Sequence, residues 1–481
     1  MKIPSSNSAV LFHKLSTPDM RFYAFAAFLV IVFLTGGGSR DDIQSLIILR
    51  PLAILFCAYA ITVKAADQWK GRMFPLYIAW SLAALMAIQL IPLPPSIWSA
   101  MAGREIFAEI ADMAQIEQPW RPVTLSPSKT LNSLFSLSVP IAAMMLYLNL
   151  EEGRRRQAIV VFISLALVSL VWAAFQLSGS LRSPLYLYQI TNNGSPVGLF
   201  ANRNHQAVML VIAIVMLGWY AASDEPEAKF TKAKLYGGIA MIFVILPLIF
   251  VTGSRAGLLL MAPALVAAII LIYFRRYLAR KRPAMEKGEM AKSWLSSQKV
   301  FIFSMIVATV ALATMAVYFS RSLALDRLVG SSEVEEMRIQ LLPTLTLMVR
   351  EYFPWGSGFG TFEHVYRIYE PHELLNAAYL NQAHNDWIQF FIEGGVAAML
   401  VGFVAIGWGA MQFIRVARTW RMSRNTKYTA AMAMTVVILL LLASLGDYPL
   451  RVPSMMAIFA VFACILNDAV RSLGRRITNH R

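Results

Sequence analysis

The feature that most constrains this chain is a series of apolar runs, each long enough to cross a lipid bilayer. A transmembrane helix needs about 20 consecutive, mostly apolar residues. Of the 481 residues, 58% are hydrophobic and 15% are charged, whereas a soluble domain carries roughly 25% charged residues. The runs lack the period-two alternation of a membrane β-barrel. The sequence therefore predicts an all-α, polytopic membrane protein.

The apolar runs predict about twelve transmembrane helices. Their predicted bounds are 20–35, 43–63, 74–91, 131–149, 157–177, 203–222, 235–252, 257–274, 300–319, 384–414, 428–446 and 453–470. A large polar loop, 320–383, separates the ninth of these helices from the tenth. We interpret the first run as an uncleaved helix, although a cleaved signal sequence is the alternative.

The distribution of basic residues predicts the orientation. With a cytoplasmic N-terminus, most of the 43 Lys and Arg residues fall in cytoplasmic segments, including Arg154–Arg156 and the 275–299 loop. Basic residues beside helices are retained on the cytoplasmic side. Both termini are therefore predicted inside, and the 320–383 loop outside. The net charge of +16 is explained by topology, so we expect no nucleic-acid partner.

The basic residues that break this bias are almost all arginines. Arg203, Arg255 and Arg451 lie outside within a few residues of an apolar run, and Arg338 and Arg350 flank the amphipathic 333–352 segment. The rigid guanidinium fork binds phosphate oxygens at two points, which lysine cannot match. Together these arginines predict a binding site for a phosphate or pyrophosphate headgroup. For any single arginine, snorkelling or pairing with a nearby acid is the alternative.

His384 stands at the start of the predicted tenth helix and is the candidate general base. An imidazole gains or loses a proton near neutral pH, as deprotonation of a sugar hydroxyl requires. Asn385, Asp386 and Asp447 are candidates to support it. The alternative is a structural, helix-capping histidine. The weaker candidates for the base are His205, Asp41 and Asp42.

The polar segments carry three further patterns. Gly356, Gly358 and Gly360 match no nucleotide-binding motif, and we interpret them as a turn that presents backbone N–H groups. The 333–352 segment has an apolar stripe that would lie on the outer leaflet or against other helices, and the 92–130 loop is predicted to be interfacial. No His, Cys or carboxylate spacing suggests a metal, and Cys57 and Cys464 predict no disulfide. We expect no metal and no cofactor.

Four motifs occur in order, and together they resemble a known family. They are Phe200-Ala-Asn-Arg-Asn204, Thr252-Gly-Ser-Arg-Ala-Gly257, Pro354-Trp-Gly-Ser-Gly-Phe-Gly-Thr-Phe362, and Ala383-His-Asn-Asp386 with Glu393-Gly-Gly395. The set resembles the bacterial O-antigen ligase and O-antigen (exopolysaccharide) polymerase superfamily over about 190–415. The resemblance implies a GT-C-like fold in the bacterial inner membrane with a periplasmic active site. It divides the chain into N-terminal helices (1–199), a core including the loop (200–415) and C-terminal helices (416–481).

The resemblance also implies a reaction. The family transfers a glycan from undecaprenyl pyrophosphate to a hydroxyl, without a metal and with inversion at the anomeric carbon. His384 matches the family's loop histidine, Arg255 the arginine of its Ser-Arg turn, and Arg338 the arginine opening the loop helix. Arg203 would assist at the pyrophosphate.

The resemblance leaves the acceptor open. It would be a second lipid-linked glycan for a polymerase or lipid A–core for a ligase. The ending Gly446-Asp-Tyr-Pro-Leu-Arg451 looks more like the exopolysaccharide-polymerase branch. Membrane lipids and other polysaccharide-assembly proteins are the remaining expected partners.

Two other classes of protein fit a polytopic chain. A transporter or flippase for a polysaccharide lipid would carry ionisable residues near the bilayer midplane, whereas here they gather at the outer rim. A non-catalytic assembly subunit would need no particular outer arginine or histidine. The sequence therefore favours the enzyme.

Overall fold

The computed structural model describes residues 15–180, 183–223, 228–280, 333–375, 380–419 and 425–478. These residues are mostly α-helical, and one short antiparallel hairpin pairs Pro92–Leu93 with Arg121–Pro122. The predicted ninth transmembrane helix, 300–319, lies outside the described residues.

The elements of the first part of the chain are separated by short connections. In chain order they are α1 (Pro18–Thr35), α2 (Leu46–Thr62), α3 (Ala66–Trp69), α4 (Phe74–Ile88), β1 (Pro92–Leu93), α5 (Pro95–Trp98), α6 (Glu105–Met113), β2 (Arg121–Pro122), α7 (Pro127–Ser136), α8 (Ser138–Leu148) and α9 (Glu152–Ser178).

The rest of the described chain contains the following helices. They are α10 (Arg203–Ala221), α11 (Ala228–Thr252), α12 (Arg255–Arg280), α13 (Glu333–Tyr352), α14 (Phe362–Tyr369), α15 (Asp386–Thr419), α16 (Asn425–Ala443) and α17 (Pro453–Thr478), with 3₁₀ turns at His372–Leu374 and Pro449–Arg451.

The long apolar helices confirm the polytopic, all-α fold. Among the described residues, nine helical segments are long and apolar enough to cross a membrane, and α2 and α4 are shorter apolar helices. Together they correspond, in order, to every predicted run except 300–319. The continuous Leu- and Ile-rich run of α2 is helical because a segment in lipid must satisfy its backbone N–H and C=O groups internally.

One predicted run is divided by a proline. The run 131–149 consists of α7 and α8, which meet at Leu137. Pro140 lacks the N–H group that would donate to the carbonyl of Ser136, so the regular ladder is interrupted at this point.

The chain forms two compact units. The first unit comprises Met1–Arg154, Ser332–Ile414 and Ser444–Asn467. The second unit comprises Arg155–Ser331, Arg415–Ala443 and Asp468–Arg481.

In the second unit, α10 is the central helix. Nearly all its side chains are buried, and it packs against α11, α12 and α16. A helix that is apolar on every side is stable only when it is enclosed in this way. Trp219 of α10 is bonded to a neighbouring helix, because its indole donates to Thr429 of α16 at 2.9 Å.

Two close approaches give the relative direction of α10 and α12. A side chain on Gly257 would meet Ala207, and one on Gly218 would meet Ala268. The contact near the start of α10 is with the start of α12, and the contact further along α10 is with a residue equally further along α12. The two helices therefore run parallel. Their N-terminal ends therefore lie at the same end of the second unit.

In the first unit, the apolar stripe of α13 is buried against protein. Leu341, Leu345, Met348 and Tyr352 form a cluster with residues of α14 and α15. Of the two predicted positions for the stripe, packing against other helices is therefore the one observed for these four residues.

The loop between α4 and α7 is anchored by a buried arginine. Arg104 is fully buried and donates to the carbonyls of Ala102, Val123 and Gly356. Burial lowers the pKa of Arg104 to about 10, so it stays charged at neutral pH. In contrast, α6 leaves Ile106, Ile110 and Met113 exposed, as an interfacial helix would.

Candidate active site

His384 lies two residues before α15 and has a left-handed backbone conformation, with φ of 50°. Residues other than glycine adopt this conformation rarely. Its conformational strain persists only where contacts with the surrounding structure compensate for it. The side chain is 15% exposed, so the ring can be reached from outside the protein. Strained backbone at a reachable titratable group motivates a functional role.

The imidazole of His384 contacts two residues of the turn that precedes α17. Its Nδ1 atom lies 3.6 Å from Oδ1 of Asp447, whose side chain is 2% exposed. The ring packs edge-on against Tyr448, with the centroids 4.8 Å apart. The distance to Asp447 exceeds a hydrogen bond, and the two side chains form an ion pair only when the imidazole carries a second proton. A carboxylate beside Nδ1 orients the ring and leaves Nε2 for a substrate.

Asn385 and Asp386 hold this turn against the start of α15. The Asn385 side chain donates to the carbonyl of Leu445 at 2.9 Å. The Asp386 amide donates to the carbonyl of Ser444 at 3.0 Å, and its Oδ2 accepts from the Ser444 hydroxyl at 3.0 Å and from the Leu450 amide at 3.1 Å. The two residues therefore support the contact between His384 and Asp447 through the backbone.

Arg451, at the end of the turn, pairs with two carboxylates of α15. Its Nε lies 3.3 Å from Oδ1 of Asp386, and its Nη2 donates to Oε2 of Glu393 at 3.1 Å. Pairing with nearby acids, the alternative for an outer arginine, is thus what Arg451 does. Arg451 is one of the outer arginines that the sequence shows beside an apolar run, but the sequence does not predict its pairing with Glu393, because 58 residues separate the two.

The glycine-rich turn is bound to α15, and its amides are used within the protein. Gly356, Gly358 and Gly360 all have positive φ. The amides of Ser357 and Gly358 donate to the carbonyls of Ile392 and Glu393, both at 2.9 Å, and the Phe359 amide donates to the Gln89 side chain at 3.0 Å. The expectation that the turn presents its N–H groups is wrong at these positions, because carbonyls of α15 and the side chain of Gln89 already accept from them.

Arg203 and Arg255 are the first residues of α10 and α12. Asn202 caps α10 by accepting from the Asn204 amide at 2.8 Å, and Ser254 accepts from the Gly257 amide at 3.1 Å. Because the two helices are parallel, both arginines lie at the same end of the second unit. Helix N-termini carry partial positive charge and attract anions, which adds to the two guanidinium charges.

The other predicted candidates have these positions. Arg338 lies in α13, and its side chain falls outside the described residues. His205 is 1% exposed within α10. Asp41 forms an ion pair with Lys129, and Asp42 one with Arg40, both at 2.6 Å; the hydrogen bond from Arg40 lowers the pKa of Asp42.

Within the described residues, the first unit thus brings together His384, Asn385, Asp386 and Asp447. The second unit brings Arg203 and Arg255 to one end. Tyr448, Glu393 and Arg451 are additional members of the His384 site. Their only sequence signal was the Asp-Tyr-Pro-Leu-Arg string and the Glu-Gly-Gly string, which carry no spacing that predicts contact.

Fold and site together define a multi-pass α-helical membrane protein with a histidine–carboxylate pair and with arginines at helix ends. Residues 239–403 match the model of the O-Antigen ligase family, which confirms the resemblance. This stretch contains Arg255, Arg338 and His384, while Arg203 and Asp447 lie outside it. The family supports glycosyl transfer of the O-antigen ligase and polymerase type, in the bacterial inner membrane. A comparison with curated proteins gives no match.

Proposed function

We propose that this protein transfers a glycan from undecaprenyl pyrophosphate to a sugar hydroxyl at the periplasmic face of the inner membrane. The observation that carries the proposal is the contact between His384, whose backbone is in the left-handed conformation, and the carboxylate of Asp447. Asp447 lies in the turn before α17, and Asn385 and Asp386 fix that turn against α15. The family match over 239–403 supports the reaction class. The proposal includes a GT-C-like arrangement of about twelve helices with both termini in the cytoplasm.

His384 is the general base in this proposal. Its Nε2 accepts the proton of the acceptor hydroxyl while the hydroxyl oxygen attacks the anomeric carbon. Asp447, 3.6 Å from Nδ1, keeps the ring oriented and stabilises the imidazolium that forms. Tyr448 packs against the ring and limits its rotation.

Arg255, Arg203 and Arg338 bind the donor in this proposal. The bond between the anomeric carbon and the pyrophosphate oxygen breaks as the new glycosidic bond forms, so negative charge grows on the leaving group. Fixed positive charge stabilises a departing anion most when it needs no reorganisation. The parallel α10 and α12 support this role, since they place Arg203 and Arg255 at the same end of the second unit. These charges serve in place of a divalent metal, and a single displacement inverts the anomeric centre.

The direct test uses the purified protein in nanodiscs with a lipid-pyrophosphate glycan donor and an acceptor glycan. Release of undecaprenyl pyrophosphate together with a lengthened glycan is expected. Movement of the donor between leaflets without its cleavage would establish a flippase instead. If the donor is neither cleaved nor moved, the protein would be a non-catalytic assembly subunit.

The acceptor is the second part of the proposal, and we favour a polymerase. The Gly446–Arg451 ending, which resembles the exopolysaccharide-polymerase branch, supports this choice. Deletion in the host should abolish long surface or secreted polysaccharide and leave single repeats. Full-length chains accumulating on undecaprenyl pyrophosphate, with lipopolysaccharide left bare, would show a ligase acting on lipid A–core.

A further inference from the structure

The C-terminal turn that contacts His384 is tied to α15 by one guanidinium and two carboxylates. Arg451 contacts Asp386 at 3.3 Å and Glu393 at 3.1 Å. The two acids are seven residues apart, so they lie two turns apart on one face of α15. A planar fork is suited to bridge them, because its N–H groups point in fixed directions.

Both carboxylate oxygens of Glu393 are buried and accept hydrogen bonds from protein groups. Its side chain is fully buried. While Oε2 accepts from Arg451, Oε1 accepts from the Gln389 side chain at 2.9 Å and from the Phe362 amide at 3.4 Å. A buried carboxylate with these partners is already satisfied by protein groups. It therefore serves as a fixed anchor for Arg451.

The anchored end of the turn is close in sequence to the residues that contact His384. Asp447 and Tyr448 precede Arg451 by a few positions, and the 3₁₀ turn Pro449–Arg451 connects them. The Leu450 amide also holds this part of the turn, because it donates to Asp386 at 3.1 Å. Asp386 is itself paired with Arg451 at 3.3 Å, so the guanidinium and the Leu450 amide meet at the same carboxylate.

We propose that Arg451 and Glu393 are a positioning pair for His384, which fixes the turn that carries Asp447 and Tyr448. The inference rests on the proposed function, since His384 must be the base for its position to matter. Arg451 therefore has a different role from the arginines proposed to bind the donor, because its guanidinium is paired with two carboxylates of the protein. Its loss would act on the chemical step and leave donor affinity intact.

The test compares Arg451→Gln, Arg451→Lys and Glu393→Gln with the wild-type protein in nanodiscs. Misplacement of a catalytic group by about 1 Å costs on the order of 100-fold. We expect Arg451→Gln and Glu393→Gln to lower kcat by about 10- to 100-fold with the donor KM within about twofold of wild type. Arg451→Lys, which keeps one contact, should fall between them and wild type. The double variant Arg451→Gln/Glu393→Gln should be no slower than Arg451→Gln alone, because the contact to Glu393 is already lost in that variant.

A matched control is available on α14. Arg367 pairs with Glu363 at 3.0 Å, one turn away on the same helix, and its side chain is 52% exposed. Exposed pairs of this kind contribute little, so Arg367→Gln should leave kcat and KM unchanged.

Hydrogen exchange gives a readout that needs no turnover. In Arg451→Gln, the peptide containing the Leu450 amide should exchange faster than in wild type, while peptides from α10 should not change. A raised donor KM with unchanged kcat would make Arg451 a donor ligand and overturn the inference. So would unchanged kinetics, or unchanged exchange at Leu450. If the wild-type protein releases no undecaprenyl pyrophosphate, the proposed function fails, and the exchange experiment still decides whether the pair holds the turn.

Discussion

Gly395 lies directly against the carbonyl of Pro354, at the point where α15 departs from helical geometry. Its φ and ψ are 56° and −149°, a region that only glycine occupies readily. The next amide, that of Val396, donates to the same Pro354 carbonyl at 2.8 Å. The glycine-rich turn is therefore bonded into a break in α15, two residues after Glu393.

Replacing Gly395 with alanine should destabilise the first unit. The new Cβ would overlap the Pro354 carbonyl and would occupy a strained backbone region, at a cost of about 1–3 kcal/mol. The thermal midpoint of unfolding in nanodiscs measures this. Gly407, in the same helix, has open space where a Cβ would stand, so Gly407→Ala should raise the midpoint or leave it unchanged. Equal midpoints for the two variants would contradict a required glycine at 395.

Replacing His384 with alanine should lower turnover by roughly 10²–10⁴-fold, the usual contribution of a general base. Donor binding and expression should be preserved, because the ring is partly exposed and anchors no core. His364 is exposed on α14, and His364→Ala is the matched control with unchanged turnover. Near-wild-type turnover in His384→Ala would move the role to His205, Asp41 or Asp42.

Replacing Arg255 should raise the donor KM and lower kcat together, because the guanidinium would contact the pyrophosphate before and during its departure. Arg255→Lys should recover only part of the loss, since an ammonium cannot make the two-point contact. Steady-state kinetics with the lipid-linked donor measure both constants. Arg367→Lys is the same chemical change at an exposed site and should have no effect. Full recovery in Arg255→Lys would refute two-point binding.

The exposed apolar stripe of α6 should lie in the membrane interface. Ile110 is 57% exposed, whereas Glu109, one residue away, is also exposed and is charged. A nitroxide on Ile110→Cys should be reached preferentially by dissolved oxygen, and one on Glu109→Cys by a water-soluble nickel complex. The labels require prior replacement of Cys57 and Cys464. The opposite order of accessibilities would place the acidic face towards lipid and contradict the interfacial interpretation.

The charge distribution predicts which loops are periplasmic. In the same cysteine-free background, Glu117→Cys should react with a membrane-impermeant maleimide in intact cells, because its loop is predicted outside. Lys70→Cys should react only after the membrane is opened. Both positions are exposed, so burial does not explain a difference. Labelling of Lys70→Cys in intact cells would reverse the orientation.

The helices could be predicted from the sequence because each is encoded by a continuous apolar run. Lipid contact requires the whole segment to be apolar, as in α12, so the signal needs no knowledge of the neighbours. The break between α7 and α8 has a local signal in Pro140, but proline is tolerated within membrane helices and the run is apolar on both sides of Leu137. The break at Gly395 has no such local signal, since its cause is the Pro354 carbonyl, which is distant in sequence.

The site was predictable in part. His384 and Arg255 stand beside apolar runs with unusual charge for their side of the membrane, and that is a local signal. The structural role of Arg104 has no such signal, since only folding brings the carbonyls of Val123 and Gly356 to its guanidinium. The pairing of Arg451 with Glu393 is of the same kind. The sequence alone therefore does not distinguish outer arginines with a structural role, such as Arg104 and Arg451, from those proposed to bind the donor.

The turn that supports His384 also has a consequence for biogenesis. Leu445, which accepts from Asn385, is 60 residues further along the chain, so the ribosome has made most of the protein before this turn exists. A nascent chain halted before Asp447 would contain His384 without its carboxylate neighbour, Asp447, and without its aromatic neighbour, Tyr448. The proposed transferase would thus be assembled in an inactive form and acquire its activity only when the last two described helices, α16 and α17, are in the membrane. Premature termination or proteolytic loss of those helices would yield an inserted but silent protein.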